Sequence, residues 1–434
     1  MRHVVEMTFA GSVGLIAVFL VDFLSLFYIS MLRDEQLTAG VGYATTVLFF
    51  AISVNVGLMI AVSALTARAL GAGDRNQARR VATSGLVLCA IAGVATAALM
   101  LLGLPKLLGM LGAEGAPYDV ATRFLWIVLP SNPLMALGMA LSGILRGVGD
   151  ARRAMLVTLI GGLATAVLDP LFIFIFKLGT DGAALATVMS RVVFCIIGWQ
   201  GVATHHNLVV RPTTADVRQF SPALMGIAVP AILTNIASPV AQAFILSVVR
   251  RFGHEAVTAG AIIDRLVPLA FGVIFALSAS VGPILAQNLG AGRYDRLRRA
   301  MRDALVFAMA YCCIVWLVLA LGRNNIAQLF GASEKTASYV AFFCLIGAAM
   351  WIFNGLMFVA NAAFNNLGYP LYSTVFNWGR ATIGTMPFAL YGAQWGYEGV
   401  LIALIAGWAI FGVASVIVAF RAIRNLERKA LQAS

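Results

Sequence analysis

The chain is predicted to be an all-α membrane protein with twelve transmembrane helices in two pseudo-symmetric six-helix lobes. Two observations carry that expectation. First, 61% of its 434 residues are hydrophobic and only 11% are charged, with a mean hydropathy of +0.92. Apolar runs long enough to cross a hydrocarbon layer of roughly 30 Å recur along its whole length. Second, one pattern is written twice, 219 residues apart: Leu70-Gly71-Ala72-Gly73 followed by Arg79-Arg80, and Leu289-Gly290-Ala291-Gly292 followed by Arg298-Arg299. Ala67 and Ala286, and Gly149 and Gly368, keep the same offset. After a shift of two residues, Asp169-Pro170 aligns with Met386-Pro387, Gly179 with Gly396 and Gly182 with Gly399. A duplicated membrane unit is a mark of secondary transporters.

The segments follow in order. The first, 7–31, contains Asp22 and is followed by no small-residue cleavage site, so it reads as a helix and not a signal peptide. Segment 38–67 stops at the first Gly-Ala-Gly turn, and 81–104 begins after Arg79-Arg80. Segment 121–145 carries Pro130 and Pro133, 154–176 carries Asp169-Pro170, and 183–204 closes the first half. The polar stretch 205–221 separates the halves. Segment 222–249 then carries Pro230 and Pro239, and 256–287 carries Pro268 and Pro283 before the second Gly-Ala-Gly turn. Segments 303–322, 337–364, 369–392 and 399–420 complete the set. Proline removes a backbone donor and crowds the preceding turn, so bends are expected at these prolines. The domain map is 1–204 for the first lobe, 205–221 for a cytoplasmic linker, and 222–434 for the second lobe with a short basic tail.

The net charge of +12 would suggest nucleic acid in a soluble protein. Here the basic residues sit in short loops between apolar runs. With the termini and the even-to-odd loops on one side, that side holds nineteen of the thirty Lys and Arg residues, the other holds eight, and Arg191, Arg265 and Arg380 fall within segments. The bias places both termini in the cytoplasm and excludes nucleic acid as a partner. The five cysteines all lie in apolar segments without metal-ligand spacing, and read as small packing residues. The four histidines fall outside the apolar segments. No H-E-x-x-H, Walker A sequence or nucleophile elbow occurs, so an enzyme, a resident metal and an ATP-driven pump are not expected.

Three acids remain inside the apolar segments: Asp22, Asp169 and Asp264. An intramembrane carboxylate is costly unless paired, hydrated or protonated, and defaults to a functional reading. At about 1.5 Å per residue, Asp22 and Asp169 both lie some 15 residues beyond the cytoplasmic start of their segments, at one depth. Thr187 enters from the other side to a similar level, and Thr165 is one turn before Asp169 on the same face. Two carboxylates with hydroxyl neighbours make a proton or cation site. The competing reading is that each acid bonds a backbone break or pairs with Arg191. In the second half, Asp264 adjoins Arg265, Arg380 is placed to neutralise it, and Asn354 adds polarity. The aromatic and Met-rich run from Phe342 to Phe358 suits either a greasy cavity or plain packing.

These residues resemble the multidrug and toxic compound extrusion (MATE) family. The resemblance rests on Val21-Asp22, the two Leu-Gly-Ala-Gly copies, Leu145-Arg146-Gly147-Val148-Gly149-Asp150, Leu168-Asp169-Pro170-Leu171 and Gly182-Ala183-Ala184-Leu185-Ala186-Thr187. It implies two six-helix lobes in a V around a central cleft. It implies a coupling-ion site at Asp22, Thr165, Asp169 and Thr187, with Thr165 standing where asparagine is common. A further polar site in the second lobe would involve Asp264, Arg265, Asn354 and Arg380. No helix 7 acid is present and Asn354 stands where helix 10 of the sodium-type branch carries one. The implied function is therefore secondary active antiport of organic, cationic compounds against protons, with no cofactor beyond the coupling ion. The alternatives are sodium coupling, or a lipid-linked oligosaccharide flippase of the same superfamily. The expected setting is a monomer in the bacterial inner membrane, with small organic molecules and the lipid bilayer as partners.

Overall fold

The computed structural model describes residues 8–9, 11–14, 16–17, 20–21, 24–25, 28–29, 31, 34–329 and 333–433, and all of the regular structure among them is helical. The described residues of the first segment between 8 and 29 are helical. Then follow α1 (Glu35–Gly71), α2 (Arg75–Met110), α3 (Gly115–Val128), α4 (Asn132–Val148), α5 (Ala151–Pro170) and α6 (Gly179–Trp199). The second half holds α7 (Thr214–Val249), α8 (His254–Gly290), α9 (Tyr294–Leu329), α10 (Glu334–Leu345), α11 (Met350–Leu367), α12 (Pro370–Thr382), α13 (Met386–Gly392) and α14 (Gly396–Ala433).

Ten helical runs among the described residues are long and apolar enough to cross a membrane. The last, Pro370–Gln432, is 63 residues long and folds back on itself. A Cβ on Gly392 would overlap the Gly399 carbonyl, and one on Gly407 would overlap the Gly384 carbonyl, so α13 and α14 run antiparallel in close contact. The reversal falls at Gly396, whose φ of +81° is strained for any side chain.

Two compact units divide the chain. One is Val13–Ile232; the other is Leu233–Ser434, with which the described residues through Ser12 are grouped. Lipid offers no hydrophobic drive for helices to associate, so packing relies on small residues that let backbones approach. In the first unit, Gly138 and Gly161 flank the Phe194 ring, and a Cβ on Gly147 would lie 3.1 Å from the Ser63 carbonyl. Leu99, Leu102 and Val167 are among the side chains left exposed, as a lipid-facing belt requires.

The duplication is visible in the backbone itself. Ala72 N–H donates to Arg68 C=O at 3.0 Å and Gly73 N–H to Leu70 C=O at 3.1 Å; in the second copy Ala291 donates to Gln287 at 2.9 Å and Gly292 to Leu289 at 3.0 Å. Gly73 and Gly292, Gly149 and Gly368, and Gly179 and Gly396 all have positive φ. The basic turn of each unit also reaches chain beyond that unit's sixth apolar segment. Arg79 donates to Asn207 Oδ1 at 2.9 Å and Arg80 Nε to Asp216 at 2.8 Å, while Arg298 pairs with Glu427 at 2.9 Å.

The helices are interrupted at only some of the prolines. Pro130 sits in a 3-10 turn, Leu129–Ser131, that separates α3 from α4, and Pro170 ends α5 before a π-helical turn at Leu171–Ile175. The repeat keeps the first break, since Gly347–Ala349 interrupts α10 and α11. Pro230, Pro239, Pro268 and Pro283 instead lie within the continuous helices α7 and α8. One missing donor does not end a helix whose remaining turns are held by neighbours.

Candidate functional site

Asp169 is the last residue of α5 before Pro170 and is 1% exposed. Its Oδ2 accepts a hydrogen bond from the Ser25 hydroxyl. The first segment runs beside α5 here: a Cβ on Gly162 would sit 3.5 Å from Val21 Cγ2. Val21 and Ser25 thus meet α5 at Gly162 and Asp169, one helix following the other. The π turn after Pro170 packs closely on α6: a Cβ on Gly182 would come within 2.7 Å of the Phe172 carbonyl.

Asp22 lies outside the described residues. Thr165 and Thr187 are half-buried on α5 and α6, and each turns its hydroxyl to its own helix. Thr165 donates to Gly161 C=O at 3.3 Å, and Thr187 to Ala183 C=O at 3.0 Å. Ser25 was absent from the expected cluster, although it comes three residues after Asp22 in the sequence.

Among the described residues, Arg191 forms no ion pair with Asp169. It is 7% exposed and donates from Nη1 to Val128 C=O at 3.1 Å and to Ser131 Oγ at 2.9 Å. Those acceptors belong to the Pro130 break, where the helix cannot satisfy its own carbonyls. The next residue continues the network. Asn132 donates to Gly93 C=O at 3.1 Å and accepts from Asn55 Nδ2 at 2.9 Å. Arg191 is thereby a fastening for the break, and the carboxylate at Asp169 faces a neutral hydroxyl instead.

In the second unit the expected polar residues are dispersed. Asp264 and Arg265 are exposed on α8, whereas Asn354 on α11 and Arg380 on α12 are buried. Arg380 does not pair with Asp264, which has no ion pair among the described residues. Arg380 donates to Ser238 Oγ at 3.2 Å, and its guanidinium carbon lies 4.5 Å from the Trp408 ring centroid. Its Nε is buried without a hydrogen-bond partner. The aromatics of segment 337–364 pack: Trp351 stacks on Phe271 at 4.9 Å, and Phe358 meets Phe275 edge-on at 5.1 Å. A buried network outside the expected set joins α11 and α12, with Asn377 donating to Asn361 Oδ1 at 3.0 Å and Ser373 to Asn365 Oδ1 at 3.1 Å. Among the described residues no cluster of His, Cys, Asp and Glu has the makings of a metal site.

The MatE family model matches this chain twice, at residues 12–171 and 230–390, in the register of the internal repeat. A FAD transporter of Shewanella oneidensis is 28% identical over 427 residues, covering 97% of this chain and 94% of that protein. The multidrug export protein MepA of Staphylococcus aureus is 24% identical over 412 residues, covering 92% and 88%. Among solved structures, a mutant of the Vibrio cholerae MATE transporter VcmN superposes with a TM-score of 0.94 at 25% identity, covering 98% of each chain.

Proposed function

This chain belongs to the MATE family of multi-pass membrane transporters, and we propose on that premise that it is a secondary active exporter of organic compounds driven by proton entry. The observation that carries the reading is Asp169, an acid buried in an apolar lobe with a hydroxyl donor and, among the described residues, no ion pair. A carboxylate so placed is stabilised by taking up a proton and is recharged when the site opens to water. Asp22, Thr165 and Thr187 complete the site in the proton-loaded state, when the two threonine hydroxyls are free to turn from their own helix carbonyls. Sodium is the competing coupling ion, since the same oxygens suit a hard cation.

The protein works as a monomer in the bacterial inner membrane with both termini in the cytoplasm, following the Lys and Arg bias. Its cargo on the first reading is an organic cation, drawn by the acids of the first lobe. A second reading is favoured by Arg380. A buried guanidinium with an unpartnered Nε beside the Trp408 ring suits an aromatic cargo that carries phosphate, and a relative named as a FAD transporter supports that chemistry. Export of a lipid-linked oligosaccharide would use the same arginine.

The test is efflux from proteoliposomes loaded in turn with a fluorescent organic cation and with a flavin dinucleotide. Each is run under an imposed pH gradient, and then under a sodium gradient at constant pH. Export driven by the pH gradient supports the proposal; export driven by sodium alone refutes proton coupling. The cargo that moves decides between the two readings.

A further inference from the structure

The first lobe has a cavity of about 600 Å³ that the transport site does not use. It lies between α5 and the end of α6, where the helix widens into a π-helical turn, Gln200–His205. Such turns interrupt the regular ladder and are frequent at functional sites. The cavity wall changes character along its length. Arg153, Thr204 and His205 line one end; Leu156, Ile160 and Ile197 line the other. Arg153 to Ile160 is seven residues, so the polarity changes over about 10 Å of helix.

The level of this gradient in the membrane is marked independently. Trp199, beside the cavity, is 51% exposed, and indole rings of this kind favour the headgroup layer. The Arg153 end belongs to the face that carries most of the basic loops. Charge at that end is positive. Arg152 is exposed next to Arg153, and the neighbouring acid is Asp150. That carboxylate is engaged with Arg153 Nη1 at 2.5 Å and with His206 Nε2 at 2.8 Å. The ion pair holds the guanidinium at the cavity mouth and leaves its other N–H groups available.

We propose that this cavity is a binding site for an anionic phospholipid of the cytoplasmic leaflet, its phosphate held by Arg153, Thr204 and His205 and its first acyl carbons against Leu156, Ile160 and Ile197. Basic pockets between transmembrane helices on the cytoplasmic side bind such headgroups. A free phosphate would share the polar end and gain nothing from the apolar one, and the volume exceeds what a small anion fills. A zwitterionic lipid would share the apolar end but bring a cation to the basic mouth. The site is separate from Asp169 and stands whether or not the transport reading does.

The full-length protein in zwitterionic detergent micelles is titrated with phosphatidylglycerol, phosphatidylcholine and inorganic phosphate, and its thermal transition is followed. The expected result is stabilisation by phosphatidylglycerol at concentrations where the other two have no effect. Replacing Arg153 with Gln should weaken that response on the order of fivefold, and R153Q with His205→Leu further still. Because R153Q also removes one of the two side-chain partners of Asp150, a second variant is needed. Leu156→Trp fills the apolar end, keeps the ion pair, and should abolish the phosphatidylglycerol response while leaving the melting temperature without lipid near that of the parent. Equal stabilisation by phosphatidylcholine, an equal response to inorganic phosphate, or an undiminished lipid response in L156W would each overturn the proposal.

Discussion

The Ser25 hydroxyl donates to the Asp169 carboxylate across 144 residues of sequence. That single bond places the first segment against α5 at the level where α5 ends. It also gives the acid a neutral partner, while Arg191 is occupied at the Pro130 break.

Replacing Asp169 with Asn should abolish coupled export while the protein still folds and inserts, because Asn keeps the volume and can still bond Ser25 but cannot exchange a proton. Asp22→Asn should do the same. Ser25→Ala should leave export reduced and move its pH dependence, since a hydrogen bond to a charged group is worth about 1.5–3 kcal/mol. Efflux of a fluorescent cation at matched expression, measured from pH 5.5 to 8.5, checks all three. Normal export by both Asn variants would remove the acids from the mechanism.

Arg191→Met should destabilise the first lobe without touching the coupling ion. It removes the charged donor shared by Val128 C=O and Ser131 Oγ, which keep only the bond from Ser131 Oγ to Val128 C=O at 2.7 Å, a loss of about 1.5–3 kcal/mol. The measurement is the melting temperature in detergent. A rise in melting temperature would show that the arginine is not a fastening.

Asp150 lies in the loop between α4 and α5, outside the membrane spans, and caps α5 by accepting from Arg153 N–H at 3.0 Å. Burial alone pushes its carboxyl up, but the bonds from the Arg153 backbone and guanidinium and from His206 outweigh it and hold the group below its usual value. A carboxylate lowered in the folded state stabilises the fold above its unfolded value, and that contribution is lost as pH falls through the folded value. Stability from this group should therefore hold down to about pH 4, the ordinary aspartate range, and decline below it. Asp150→Asn keeps the cap but loses the charge pairing with Arg153 and His206, so it should cost about 0.5–1 kcal/mol at neutral pH and lack the acid decline. Parallel melts of the two proteins at pH 7 and pH 3.5 give the comparison.

Gly407→Leu should block folding of the second lobe, because any Cβ there overlaps the Gly384 carbonyl and backbone cannot yield as a side chain does. Expression and gel filtration report the outcome; a monodisperse Leu variant would mean the α13–α14 hairpin is looser than described.

A reporter fused after Ser434 should be active only on the cytoplasmic side, and one placed in the loop between Leu108 and Pro117 only on the other. Activity with the reverse pattern would overturn the orientation drawn from the Lys and Arg bias.

Hydropathy and duplication were legible in the sequence because both are local demands. A membrane requires long apolar runs, and a turn with positive φ requires glycine at that residue, so Gly73 and Gly292 announced their turns wherever the rest of the chain lay. Asp169 was legible for the same reason: an acid in an apolar run is conspicuous before any neighbour is known. What only the tertiary structure decided is which side chains meet. Depth along a helix follows from counting residues, but the face each helix turns to its neighbours follows from packing. Arg380 therefore reached Ser238 and Trp408 instead of Asp264, Arg191 went to the Pro130 break, and the Asn361–Asn377 network lay hidden in two ordinary helices. Partners across helices are chosen by rotation and close approach, which small residues such as Gly138 and Gly161 permit and which no hydropathy pattern records.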